Sequence, residues 1–449
     1  MQSMQCLFPS SFRQFLHSPC ILSSLNTNAP SFSPSLISLS IEQVSCRALS
    51  IALLRQSAPK DRWQDWVQSE FFSNILHNLA QLTGAPPGIR IGANSEDKTD
   101  FLPAVESAQC VFPPPSANVP YPEASSIVVG DAYYQMAYRL PLNTVDVNFG
   151  QANITAAFLE ARAIMDSFAS PVFYARNISL DYLEIGNEPD LYMNNGARGR
   201  NYSSSQFIFE WTTFANNISA SVNLSRSDTR FLVGSFAGSS SQLTGFSPQA
   251  IYNGGILRSP AGARIAAYSQ HHYSGSFCTG SGGLLEDLMT KATIQSNLTI
   301  YSLDILATRG HGLDYVLGEM NSWSPTEIAC NHTRIAGYAA YEDAQLVRAV
   351  FINSQGYLRS TARSRTSVHL DLVFEDDGPV GIDVKRLEIG YADDVSGVRW
   401  GGQTYETDTG RVAGDLQVEE RSVEDGVDVA ETEVVLVSFI YATAWKYSD

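Results

Sequence analysis

Two glutamates stand at the ends of apolar runs, and together they are the first chemistry this chain offers. Leu183-Glu184-Ile185-Gly186-Asn187-Glu188-Pro189 reads as a β-strand ending in a carboxylic acid held between an amide and a rigid proline. Leu313-Asp314-Tyr315-Val316-Leu317-Gly318-Glu319 ends the same way 131 residues later. Two parallel strands that bring one carboxyl group each to a common rim suit retaining cleavage of a glycosidic bond. One group protonates the leaving oxygen and the other attacks the anomeric carbon, at a separation of about 5–5.5 Å. A lone strand-end glutamate is more simply a solvated acid. Asn-Glu-Pro after an apolar strand favours chemistry at Glu188, and Gly318-Glu319-Met320-Asn321-Ser322 is the less specific partner.

Further polar residues fall at other strand ends. Period-two alternation puts His271 and Tyr273 on one face and His272 on the other. An imidazole and a phenol there could orient a carboxylate or a sugar hydroxyl, or simply pack. Adjacent histidines on opposite faces make poor joint metal ligands, so no metal is expected. Small residues in Arg90-Ile91-Gly92-Ala93-Asn94-Ser95-Glu96-Asp97 would let a loop approach a ligand through Asn94, although an ordinary strand–helix loop fits equally well. Glu42 closes an earlier strand and by itself reads as a surface acid. There is no G-x-S-x-G, no G-x-x-x-x-G-K-[ST] and no H-E-x-x-H, so serine-hydrolase, nucleotide-phosphate and zincin chemistry lack their parts, and no cofactor is expected.

The elements that must hold these residues alternate. Strands are expected at Leu36–Glu42, Gly88–Ala93, Thr144–Phe149, Leu180–Gly186, Phe231–Phe236, Ile265–His272 and Tyr315–Gly318, with helices at Ser69–Gly84, Ile154–Phe168, Ser204–Ser221 and Leu284–Thr308. Seven strand–helix steps point to an α/β fold, a (β/α)8 TIM barrel one strand short, whose catalytic face is the C-terminal rim of the strands. From Ile335 the texture changes to short alternating runs, Leu346–Ile352, Ser367–Phe374, Ile382–Glu388 and Glu433–Tyr441, the pattern of an all-β antiparallel sandwich. The chain thus divides into an unassigned segment 1–30, a barrel 31–330 and a sandwich 335–449.

The 449 residues carry a net charge of −17, and 19 acids face 6 bases between Asp371 and Asp449. Such a surface repels nucleic acid and anionic membranes. No run of 18 apolar residues occurs, so no membrane span is expected. The first thirty residues lack a basic region followed by a clean apolar stretch, so no signal peptide is evident. Seven N-x-S/T sequons, at Asn153, Asn177, Asn201, Asn217, Asn223, Asn297 and Asn331, nevertheless favour a secreted product. The six cysteines form no metal pattern, and Cys278 and Cys330, which follow the sixth and seventh strands, are expected to meet at the rim.

Taken together, Ser40-Ile41-Glu42, Ile89–Ser95, Ile185–Tyr192, His271-His272-Tyr273, Gly318–Ser322 and, in the tail, Arg348–Ser354, Lys385-Arg386-Leu387, Trp400–Glu406 and Val434–Phe439 resemble glycoside hydrolase family 79, the fungal β-glucuronidase and heparanase-like group. The resemblance implies Glu188 as acid/base and Glu319 as nucleophile. It implies Glu42, Asn94, Asn187, His271 and Tyr273 as contacts to the bound sugar, and a glycan bearing glucuronic acid or its 4-O-methyl ether as partner.

Two departures stand against that pattern. Val44–Lys60 interrupts a junction expected to be nearly contiguous, and its ends suit an unspliced intron. Only about sixteen residues separate Glu319 from the sandwich pattern at Ile335, where the family places an eighth strand. Two alternatives therefore stand beside the uronidase. One is another retaining hydrolase on the same scaffold, such as a β-xylosidase or endo-glucanase. The other is a carbohydrate-binding chain without turnover, which would hydrolyse no more uronide than its Glu319→Ala variant.

Overall fold

The computed structural model describes residues 16–22, 38–42, 70–106, 108–116, 124–139, 144–147, 149–222, 224, 227–273, 291–320, 327, 328, 330, 332–342, 345–374 and 378–441. Strand β1 (Leu16–Leu22) belongs to the second unit below. A parallel sheet begins with β2 (Ser38–Glu42) and β3 (Gly88–Gly92). The chain then makes a three-stranded excursion, β4 (Thr99–Phe101), β5 (Gln109–Val111) and β6 (Ser126–Val129), with β6 in the middle. It returns for β7 (Thr144–Val147), β8 (Tyr182–Ile185), β9 (Arg230–Phe236), β10 (Ile265–His272) and β11 (Asp314–Met320).

The parallel sheet runs β2-β3-β7-β8-β9-β10-β11, each strand beside its predecessor in the chain. Strictly sequential parallel strands with helical crossovers are wound in one direction, as the strand–helix alternation implied. Helices α1 (Glu70–Thr83), α2 (Ile154–Phe168), α3 (Ser204–Ser221) and α4 (Lys291–Gly310) are four of those crossovers. Asn153 starts α2 by accepting from the Ala156 N–H at 3.1 Å, and Ser203 starts α3 through the Gln206 N–H at 3.4 Å. Both satisfy a donor that the first helical turn leaves unpaired. Their apolar faces join one core with Leu183, Ile185, Phe231, Val233 and Tyr268 of the strands.

Among the described residues β2 and β11 are the edges of this sheet. The chain leaves β11 at Met320 and enters the antiparallel sheet at Glu327. Six residues are too few for a crossover to another parallel strand, which takes a dozen or more. Among the described residues no eighth parallel strand follows β11.

The second unit comprises β12 (Glu327–Ile328), β13 (Ile335–Glu342), β14 (Gln345–Asn353), β15 (Ser367–Phe374), β16 (Gly381–Glu388), β17 (Arg399–Trp400), β18 (Glu419–Ser422), β19 (Val427–Ala430) and β20 (Glu433–Ile440). One sheet runs β12-β13-β14-β20-β16-β17, with β18 on β16, and the smaller one runs β1-β15-β19. Alternate residues of both, including Ile382, Val384, Val435 and Val437 against Leu22, Val368, Leu370 and Val429, bury a single apolar core. Those two layers are the sandwich expected from the alternation. Its first strand is the surprise: β1 pairs parallel with β15, Leu16 opposite Val368. Helix α1 meets this unit through Asn74 and Asn78, whose amides donate to the Thr409 and Gly410 carbonyls at 2.9 and 2.7 Å.

Cys330 is buried and disulfide-bonded. Cys278 and the Val44–Lys60 segment lie outside the described residues.

Candidate active site

Strand β8 delivers its polar cargo through a forced turn. Gly186 takes φ 84°, and a Cβ there would lie 2.7 Å from the Phe149 ring and 2.8 Å from the Tyr192 hydroxyl, so only glycine fits. Asn187 follows, buried, and then Glu188 at φ 47°, ψ 50°, a left-handed conformation that costs a non-glycine residue on the order of 1 kcal/mol. Pro189 opens a 3-10 turn behind it, its ring pre-setting φ. The Glu188 N–H donates to the Ser235 carbonyl at 2.9 Å, and its own carbonyl accepts from Leu191 N–H at 2.9 Å.

Ser235 can accept that bond because β9 bulges there. Ser269 pairs with Gly234 and Gln270 with Phe236, leaving Ser235 out of the β10 ladder at φ 50°. A second bulge lies across the rim, where Gln270 pairs with Leu317 but His271 with Glu319, so Gly318 is skipped. A Cβ on Gly318 would collide with the Ser269 hydroxyl and press to 3.1 Å from the His271 ring. Bulges re-aim the side chains beside them and gather near sites. Here they flank the two glutamates.

The carboxylate of Glu188 reaches across β9 to β10. Its Oε1 lies 3.2 Å from Nδ1 of buried His271, and its side chain is 14% exposed, accessible from the rim but largely dry. His271 is in turn the strand partner of Glu319. Glu188 thus touches the residue directly alongside Glu319. His272 points the other way and meets Tyr301 of α4 edge-on, ring centroids 4.9 Å apart. Tyr273, one residue past β10, is half-exposed. Glu42 ends β2 opposite Gly92, and Asn94 lies two residues beyond Gly92. All seven sequence-selected residues therefore stand at the C-terminal ends of neighbouring parallel strands, Glu42 and Glu319 by their backbone register.

Several residues that sequence reasoning passed over hold this rim. Arg90 of β3 and Glu184 of β8 form a buried ion pair, Nε donating to Oε2 at 2.6 Å, and the Ser235 hydroxyl donates to the other carboxylate oxygen. Arg90 Nη2 also donates to Asn187 Oδ1 at 2.9 Å, which turns the Asn187 amide NH2 toward Asn94 Oδ1, again at 2.9 Å. Asp97 accepts from the Tyr192 hydroxyl at 2.6 Å and the Gly150 N–H at 3.0 Å, with longer contacts to the N–H groups of Phe149 and Asn187. It thereby joins the loops after β3, β7 and β8. Burial pushes its carboxyl up to about 6, against those hydrogen bonds, which favour the charged form. Asp190 accepts from the N–H groups of Ala237 and Gly238, and burial foremost, with the nearby Glu188 charge adding to it, raises its carboxyl to about 6.

One signal for the ion pair was present in the sequence. A charge between apolar neighbours in a short buried strand, as in Ile89-Arg90-Ile91 and Leu183-Glu184-Ile185, needs an internal partner. Asp97 and Asp190 had no such signature. Among the described residues no cluster of three or more His, Cys, Asp or Glu could hold a metal ion, and no helix is long and apolar enough to cross a membrane.

Residues 337–436 match the family model described as the glycosyl hydrolase family 79 C-terminal β domain. The chain is 25% identical over 262 residues to a β-glucuronidase of Aspergillus niger, covering 56% of this chain and 47% of that protein. It is 24% identical over 269 residues to a β-glucuronidase of Neurospora crassa, covering 56% and 46%. The chain thus spans about half the length of the curated relatives it matches. Its fold is similar to that of a 4-O-α-L-rhamnosyl-β-D-glucuronidase from Fusarium oxysporum 12S, with a TM-score of 0.74 at 19% identity over 94% of this chain and 100% of that one. An arabinofuranosidase gives a TM-score of 0.51 at 11% identity over 94% and 100%. The chain resembles glycoside hydrolase family 79, as the sequence motifs implied.

Proposed function

We propose that this chain carries the framework of a retaining glycoside hydrolase that removes β-linked glucuronic acid, or its 4-O-methyl ether, from oligo- or polysaccharides. Glu188 protonates the glycosidic oxygen while Glu319 attacks the anomeric carbon. A covalent glycosyl ester forms, and water then hydrolyses it with Glu188 acting as base. Glu42, Asn94, Asn187, His271 and Tyr273 contact the sugar. No cofactor takes part. The observation that carries this reading is the hydrogen bond between Glu188 and His271, the strand partner of Glu319. It brings the glutamate of β8 to the edge of the strand that bears the second one. The relatives named β-glucuronidases support the uronide as substrate.

In this reading the parallel unit within residues 31–330 is catalytic, a barrel lacking its eighth strand, and 335–449 form the sandwich, completed by β1 from the 1–30 segment and by β12. The protein works outside the cell, and its sequons carry glycans.

A panel of nitrophenyl glycosides tests the proposal: the β-glucuronide should be cleaved best and the Glu319→Ala variant should be inert. A β-xyloside or β-glucoside cleaved faster would replace the uronide. The six-residue passage from β11 to β12 favours a second reading, sugar binding without turnover. That reading holds if the chain binds glucuronic acid calorimetrically yet hydrolyses no more uronide than Glu319→Ala.

A further inference from the structure

We propose that Asp190 is a positioning residue for Glu188, a carboxylate clamp that holds the rim turn in the conformation that sets Glu188 against His271. Glu188 is left-handed, and such a conformation persists only where the surroundings over-determine it. Two ties are its own backbone bonds, to Ser235 and from Leu191. Asp190 supplies the rest. Its Oδ1 accepts from Ala237 N–H at 2.9 Å and its Oδ2 from Gly238 N–H at 3.0 Å. These are the two residues that follow β9, separated only by Phe236 from the bulged, left-handed Ser235 that receives the Glu188 N–H. One side chain therefore locks two strained turns to each other.

The clamp needs both oxygens as acceptors, and only a carboxylate provides them. In Asp190→Asn the amide NH2 would confront one of the two N–H groups, breaking half of the clamp in a side chain of the same shape. Freed from β9, the turn lets Glu188 swing away from His271.

The activity arm of the test rests on Glu188 being the acid; the spectroscopic arm does not. In protein labelled with 13C and 15N at its seven histidines, the His271 ring resonances of Asp190→Asn should move most of the way to their positions in Glu188→Gln. In turnover, Asp190→Asn should lose on the order of tenfold more kcat/KM on an alkyl or glycosyl β-glucuronide than on the nitrophenyl one, because only poor leaving groups need the proton. Should Asp190→Asn fail to fold, Asp190→Ser, which leaves room for a bridging water, takes its place. Unmoved His271 resonances with only a lower melting temperature overturn the clamp, whereas moved resonances with equal losses on both substrates uphold it and count against Glu188 as the acid. If the wild-type protein hydrolyses no glucuronide, the functional reading fails while the His271 resonances still decide the clamp.

Discussion

Replacing Arg90 by methionine should destabilise the parallel unit far more than the loss of one contact suggests. Arg90 and Glu184 are both buried, and they meet at 2.6 Å. Removing one partner of such a pair leaves the other charge in a dry interior, a loss of about 3–5 kcal/mol. Arg90→Met also strips Asn187 of the donor on its Oδ1, adding roughly 1 kcal/mol, so the expected total is about 4–6 kcal/mol. Glu184→Gln should cost about 3 kcal/mol, since it strands the guanidinium in the same place. The double variant buries no net charge and should be more stable than Arg90→Met alone, giving a favourable coupling of at least about 2 kcal/mol. Guanidinium unfolding at pH 7, followed by the fluorescence of buried Trp211, measures each term. Additive single losses, or an Arg90→Met cost below about 1 kcal/mol, would refute the argument that the pair is desolvated.

Asp97 should leave a signature in the pH dependence of stability. Its folded value is about 6, against roughly 3.9 in an unfolded chain, so between those values the folded state binds the extra proton. That contribution is fully present below about pH 4 and is lost as pH rises through about 6. Asp97→Asn should flatten this part of the profile, and identical slopes for both proteins would sink the assignment. At the rim, azide should rescue Glu319→Ala by forming an α-glycosyl azide, while Glu188→Ala should retain more activity toward nitrophenyl glucuronide than toward glycosyl substrates. An unrescued Glu319→Ala with intact substrate binding counts against its role as nucleophile. Gly318→Ala should lower stability by about 1–3 kcal/mol, because its Cβ enters the space of Ser269 and the His271 ring. A melting temperature unchanged from wild type would show that the bulge has room to spare.

Much of this protein was legible in the chain alone. Helices α2 and α3 and strand β10 begin and end where apolar periodicity put them, because amphipathic spacing and capping residues such as Asn153 are local properties. The seven strand-end residues were legible for the same reason: a polar group that closes an apolar run falls at the rim of a parallel sheet. The alternation that separates His271 from His272 also follows from the strand period alone. What tertiary structure decided lies in partners far apart in sequence. Arg90 meets Glu184, Asp97 binds the loop before α2 and the tyrosine after Glu188, and β1 pairs with β15 roughly 350 residues downstream. No window along the chain contains both members of such a pair. The bulges at Ser235 and Gly318 belong to this second class. A strand's period is local, but its register is a compromise between two neighbours. Only where β9 pairs with β10 does Ser235 leave the ladder, and its carbonyl is the one that anchors Glu188.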